Sequence, residues 1–146
     1  MARVVVDANI GVALIMNAPY SLAAVRQVAF WREREIEIVV PALWWYEVVS
    51  TLRRAITAKL MTSADAENAI GRLYQIGLTV LGPTNDLHRA ALRWAERLKQ
   101  GAAYDAQYLA LAERLTAEFW TADRALANNA HQQGAEWVKL LGVDAT

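Results

Sequence analysis

The chain has 146 residues, fifteen Lys and Arg against fifteen Asp and Glu, no cysteine, and a hydrophobic share of 55% that includes six Trp. That length suits one domain with a sizeable core, and the composition argues against disorder, while the missing cysteine excludes disulfides, thiol catalysis and cysteine-ligated zinc. Balanced charge leaves no net field for nucleic acid, so any such binding must rest on local patches.

The first element is Val4-Val5-Val6, running without polar alternation into Asp7-Ala8-Asn9. A continuous β-branched run is the mark of a strand covered on both faces, hence of a parallel sheet, and ligands of such sheets bind beyond the carboxyl ends of the strands. Asp7 falls at that edge. Ile10 to Met16 reads as a short helix ended by Asn17-Ala18-Pro19, and Ser21 as the cap of a second helix reaching Glu35. Ile36 to Val40 is the second strand. Pro41 is placed to open a helix that continues from Leu43 to Leu60, with apolar positions 44, 48, 49, 52 and 56. Thr62 with Asp65 makes a capping-box-like start for a helix ending at Gly77, and Leu78 to Leu81 is the third strand. Gly82-Pro83-Thr84 turns into a helix from Asn85 to Gln100, stopped by Gly101, and another runs from Ala102 to Thr116. Phe119 to Thr121 is the fourth strand, Asp123 to Gln133 the last helix, closed by Gly134, and Glu136 to Leu140 a fifth strand at an edge.

Strands separated by helices imply a single three-layer α/β/α domain over residues 1–146 around a parallel sheet. The longest apolar run, Ile38 to Tyr46, falls short of the ~18 residues of a membrane span, and Met1-Ala2-Arg3 leads to Asp7 rather than to a signal-peptide core. A soluble cytoplasmic protein is expected.

Laid over this scheme, Asp7 follows the first strand, Glu47 opens the helix after the second, Asp105 begins the helix before the fourth, and Asp123 lies just past it. A parallel sheet can gather all of them at one edge. Crowded carboxylates repel, and a hard divalent cation such as Mg²⁺ or Mn²⁺ relieves the repulsion; two such ions can activate water and stabilise a leaving oxygen in phosphodiester hydrolysis. Taken singly, Asp7, Asp105 and Asp123 also read as helix caps. Glu47, among Leu43-Trp44-Trp45-Tyr46 and Val48-Val49, reads either as a ligand or as part of a solvated stripe with Ser50, Thr51 and a salt-bridged Arg54.

The segments Val4-Val5-Val6-Asp7-Ala8-Asn9, Pro41 to Val48, Tyr104 to Ala112 and Trp120-Thr121-Ala122-Asp123-Arg124-Ala125-Leu126 together resemble the successive motifs of PIN-domain ribonucleases, and most closely the VapC-like toxins of type II toxin–antitoxin pairs. The resemblance implies strand order 3-2-1-4-5 and Mg²⁺- or Mn²⁺-dependent endonucleolytic cleavage of RNA, leaving 5′-phosphate and 3′-hydroxyl ends. Asp7, Glu47, Asp105 and Asp123 match the family's acidic quartet as metal-holding catalytic residues, while Asn9 and Thr121 match positions that orient carboxylates or waters. Ala8 departs from the Thr or Ser of many relatives. A VapB-like antitoxin and a homodimer are the implied partners.

Arg53 and Arg54, one turn beyond Glu47, and Arg124, beside Asp123, are candidate RNA contacts. Arg89, Arg93 and Arg97 form one stripe that fits a phosphate backbone or a solvated face. Trp44, Trp45 and Tyr46 read as core plus interface, and His88 and His131 as surface residues with no partner at metal-ligand spacing. Two alternatives stand beside this reading. A haloacid-dehalogenase-like phosphatase would use Asp7 as nucleophile but needs an acid where Asn9 stands, and a PIN scaffold used only for protein binding would not need four intact acids.

Overall fold

The three valines that open the chain form the middle of a five-stranded parallel sheet. The computed structural model describes residues 2–142, and within them twelve elements follow in order: β1 (Arg3–Val6), α1 (Ala8–Ala13), α2 (Ser21–Glu33), β2 (Glu37–Pro41), α3 (Leu43–Thr57), α4 (Ser63–Tyr74), β3 (Thr79–Leu81), α5 (Asn85–Leu98), α6 (Tyr104–Leu115), β4 (Glu118–Thr121), α7 (Arg124–Gln132) and β5 (Val138–Leu140). The sheet order is β3-β2-β1-β4-β5, with every neighbouring pair parallel. Val4, Val5 and Val6 are at most 3% exposed because helices cover both faces of β1. Val4 pairs with Ile38 of β2 on one side, and Val5 with Phe119 of β4 on the other. The tips of β1 and β4 therefore stand side by side.

Helix α1 reaches its place because residue 11 is glycine. A Cβ there would lie 2.2 Å from Cζ2 of Trp44, so only a hydrogen lets α1 seat against the fully buried indole of α3. In α3 the buried positions are Trp44, Val48, Leu52 and Ala55, an i, i+4 stripe facing the sheet. Val49, expected on that stripe, is 48% exposed, since it follows Val48 by a further ~100° around the helix.

Three local expectations are corrected. Pro41 ends β2, in register with Leu81, rather than opening α3; the β1–β2 pairing has closed by Val39, so the missing N–H of proline costs no bond on that side. Ser21 does not cap α2. Its hydroxyl accepts from the Ala18 N–H at 2.8 Å and donates to the Met16 carbonyl at 2.9 Å, tying the α1–α2 turn to itself. Helix α5 stops at Lys99, which adopts a left-handed conformation with φ 57, before Gly101 is reached. The capping box at Thr62 and Asp65 forms as expected, and β5 is an edge strand. Among the described residues, no helix is long and apolar enough to cross a membrane.

Candidate active site

Asp7 continues the sheet for one residue and then turns the chain. Its N–H donates to the Trp120 carbonyl at 3.1 Å, and its side chain caps α1, Oδ1 accepting from the Ile10 N–H at 3.2 Å. Oδ2 accepts from the hydroxyl of Thr121, the last residue of β4. Both side chains are buried, Asp7 at 6% exposure and Thr121 at 0%. The Thr121 oxygen in turn accepts from the Asp123 N–H at 3.0 Å, so one hydroxyl links the tips of β1 and β4 to the start of α7. Asp123 is exposed and caps that helix through the Leu126 N–H at 3.0 Å.

Glu47 stands in the second turn of α3, and its Oε1 accepts from the hydroxyl of Tyr108 on α6. Asp105, in the first turn of α6, accepts from the Gln100 side-chain amide at 3.2 Å. The Glu47–Arg54 salt bridge suggested by the polar stripe does not form: Arg54 donates to the Thr51 hydroxyl at 2.9 Å. A cleft of about 390 Å³ opens on Asp7, Asn9, Glu47, Asp105 and Tyr108, with Ser50, Thr51, Arg54 and Tyr104 also on its walls.

The acids feel one another. Burial pushes the Asp7 carboxyl up to about 7, against the hydrogen bonds from Thr121 and Ile10, and the charges of Asp105 and Glu47 add to the rise. Burial also raises Glu47, opposed by the Tyr108 hydrogen bond and reinforced by Asp105. Asp105 is raised by burial and by Asp123, with Gln100 acting the other way. The coupling thus runs unbroken through all four expected carboxylates. Among the described residues no three acidic or histidine side chains are already closed into a ligand cage. An oxygen-only donor set, held apart and short of positive charge, nonetheless fits a hard cation that keeps several waters and binds through one or two carboxylates at a time.

Not every expected residue reaches the cleft. Arg54 lines it, whereas Arg53, Arg124 and Asp123 are exposed outside its walls, Asp123 being linked to the site by its N–H bond to Thr121 and by its charge acting on Asp105. Asn9 lies exposed at its edge. Arg97 is spent on structure, donating to the Gln133 carbonyl with its guanidinium 3.9 Å from the Trp94 ring. His131 is exposed, and its Nε2 lies 2.6 Å from the Val138 carbonyl. Three residues were not anticipated in a site role: Gln100, Tyr108, and Tyr20, whose hydroxyl is raised by burial and by the charge of Asp7. Tyr108 carried a usable signal, because it follows Asp105 by three positions and so shares its helix face.

The family model described as PIN domain matches residues 4–132. Among solved structures, a toxin–antitoxin complex from Klebsiella pneumoniae superposes with a TM-score of 0.70 at 15% identity, covering 97% of this chain and 99% of that one. Protein PAE2754 from Pyrobaculum aerophilum gives 0.70 at 21% identity over 96% and 84% of the two chains. VapC20 from Mycobacterium tuberculosis, a sarcin–ricin-loop-cleaving toxin, gives 0.66 at 17% identity over 95% and 99%. Identities this low establish a shared fold. No curated protein matches the sequence.

Proposed function

The chain belongs to the PIN domain family, and from that premise we propose that it is a metal-dependent endoribonuclease, the toxin of a VapBC-type toxin–antitoxin pair acting in the cytoplasm. The observation that carries the reading is the buried Asp7, locked by Thr121 at the tip of the central strand and facing Glu47 and Asp105 across one cleft. Burying Asp7 with no ion-pair partner among the described residues, while the charges of Asp105 and Glu47 act on it, is costly for stability, and a divalent cation would offset that cost.

Mg²⁺ or Mn²⁺, when bound, supplies the Lewis acid and the activated water for in-line attack on phosphorus. Asp7, Glu47 and Asp105 would hold it, and Asp123, outside the cleft wall but coupled to Asp105, would complete the site as substrate arrives. Thr121 keeps Asp7 in one rotamer. Asn9 offers an amide to a bound water, and Arg54, already oriented by Thr51, offers a guanidinium to the phosphate backbone. Arg53 and Arg124 would touch RNA only beyond the cleft.

A VapB-like antitoxin as partner is supported by the Klebsiella neighbour, itself a toxin–antitoxin complex; the homodimer follows from the family. The test is RNA cleavage with and without Mg²⁺. Cleavage should require the metal, stop with chelator and drop by orders of magnitude in Asp105→Asn. Metal-independent cleavage, or an Asp105→Asn variant as active as the parent, would exclude the reading.

A further inference from the structure

Tyr108 reaches from α6 across the cleft to α3. Its ring is 1% exposed and lies parallel to Phe119 of β4, with centroids 5.5 Å apart and 13° between the planes. Phe119 is fully buried and in register with Val5, so the phenol is positioned by the sheet itself. Glu47 has no such frame of its own. It projects from a helix face whose cleft neighbours Ser50, Thr51 and Arg54 are exposed or half-buried, and a glutamate has three torsions to lose before it can hold an ion. The Thr51 hydroxyl donates to the Glu47 backbone carbonyl rather than to its carboxylate. Among the described residues, the Tyr108 hydroxyl is the one hydrogen-bond donor to the Glu47 carboxylate, and it engages Oε1.

The pattern repeats around the cleft. Asp7 has each oxygen engaged by one donor, and Asp105 has Oδ2 engaged by Gln100. Each acid therefore presents at least one oxygen already committed to the protein. Mg²⁺ and Mn²⁺ tolerate this, since they take few carboxylate oxygens and retain waters. Ca²⁺ takes more oxygens and favours carboxylates free to chelate with both.

We propose that Tyr108 is a positioning residue that fixes Glu47 as a single-oxygen ligand and thereby biases the cleft toward small octahedral cations over Ca²⁺. The inference rests on reading the cleft as a divalent-cation site. The experiment compares wild type with Tyr108→Phe, which keeps the ring and its stack, by following the thermal transition during titration with Mg²⁺, Mn²⁺ and Ca²⁺, alongside kcat and KM for RNA. The half-saturating Mg²⁺ concentration should rise roughly tenfold or more, that of Ca²⁺ should stay or fall, and kcat should drop with KM for RNA unchanged. Glu47→Asp, one methylene too short to meet the phenol, should lose the Mg²⁺ preference in the same way without touching the core, and serves if Tyr108→Phe does not fold. A wild-type ratio of Mg²⁺ to Ca²⁺ affinity in these variants, or equal weakening of both ions, would overturn the role of Tyr108 alone. A wild type insensitive to every ion would overturn the cation reading along with it.

Discussion

The inner and outer halves of the acidic cleft are built differently. Inside, Asp7 is buried, both its oxygens are held, and its carboxyl is pushed up to about 7. Outside, Asp123 caps α7 beyond the cleft wall, and Asp105 is held by the half-buried Gln100 amide. The inner half is thus preorganised at a cost to stability, whereas on the proposed function the outer half would adjust to ion and substrate. A site of this kind keeps one ligand rigid as a reference and lets the others close on it.

The sharpest way to break this contrast is to neutralise the inner acid. Asp7→Asn should abolish RNA cleavage by orders of magnitude while raising the thermal midpoint of the metal-free protein at pH 8, because it removes a buried charge that has no cationic partner. Loss of activity together with a large loss of metal-free stability would mean that Asp7 is a structural acid.

Thr121→Val keeps the shape and deletes the hydroxyl that serves both halves. It should lower activity roughly 10–100-fold and stability by about 1–3 kcal/mol, the cost of unpaired buried polar groups. Denaturant unfolding and initial rates measure the two separately.

The pH dependence should run in opposite directions with and without metal. Between 3.8 and about 7 the folded state holds a proton on Asp7 that the unfolded state has released. The contribution to metal-free stability is therefore intact below 3.8, falls as pH rises toward about 7, and levels off above it. Cation affinity follows the ionised form and rises through the same window. A metal-free thermal midpoint that climbs from pH 5 to pH 8, or a Mg²⁺-induced shift no larger at pH 8 than at pH 5, would contradict this assignment.

The smallest expected effect separates cleft from surface. Arg54→Ala should raise KM for RNA several-fold, and Arg89→Ala, on the exposed stripe of α5, should leave it unchanged. Equal effects would place the RNA track along α5 instead.

Much of this architecture is legible in the sequence. The Val4–Val6 run announces a covered strand, and the four acids fall at element junctions; the strand order came from the family resemblance, which also suggested Asn9 and Thr121 as positioning residues. What escaped was contact between distant residues. Tyr108 sits in the apolar stretch Tyr108-Leu109-Ala110-Leu111 and its ring is core, yet its hydroxyl finds a partner 61 positions away. Local chemistry misled where two outcomes were equally cheap. Proline is tolerated both at a helix start and at a strand end, and serine can cap a helix or staple the turn before it. Of the neighbours Arg53, Arg54 and Arg124, only Arg54 reaches the cleft, a choice set by helix phase about a site whose position a linear sequence does not show.

The central claim is that the buried Asp7, its carboxyl pushed up to about 7, anchors a divalent cation. Calorimetric titration of Mn²⁺ into wild type and Asp7→Asn at pH 7, repeated in two buffers of different ionisation enthalpy, tests it directly. Wild type should bind Mn²⁺ with release of protons, and Asp7→Asn should bind far more weakly with no proton released from this position. Equal Mn²⁺ binding by the two proteins, or binding by wild type without proton release, would contradict it.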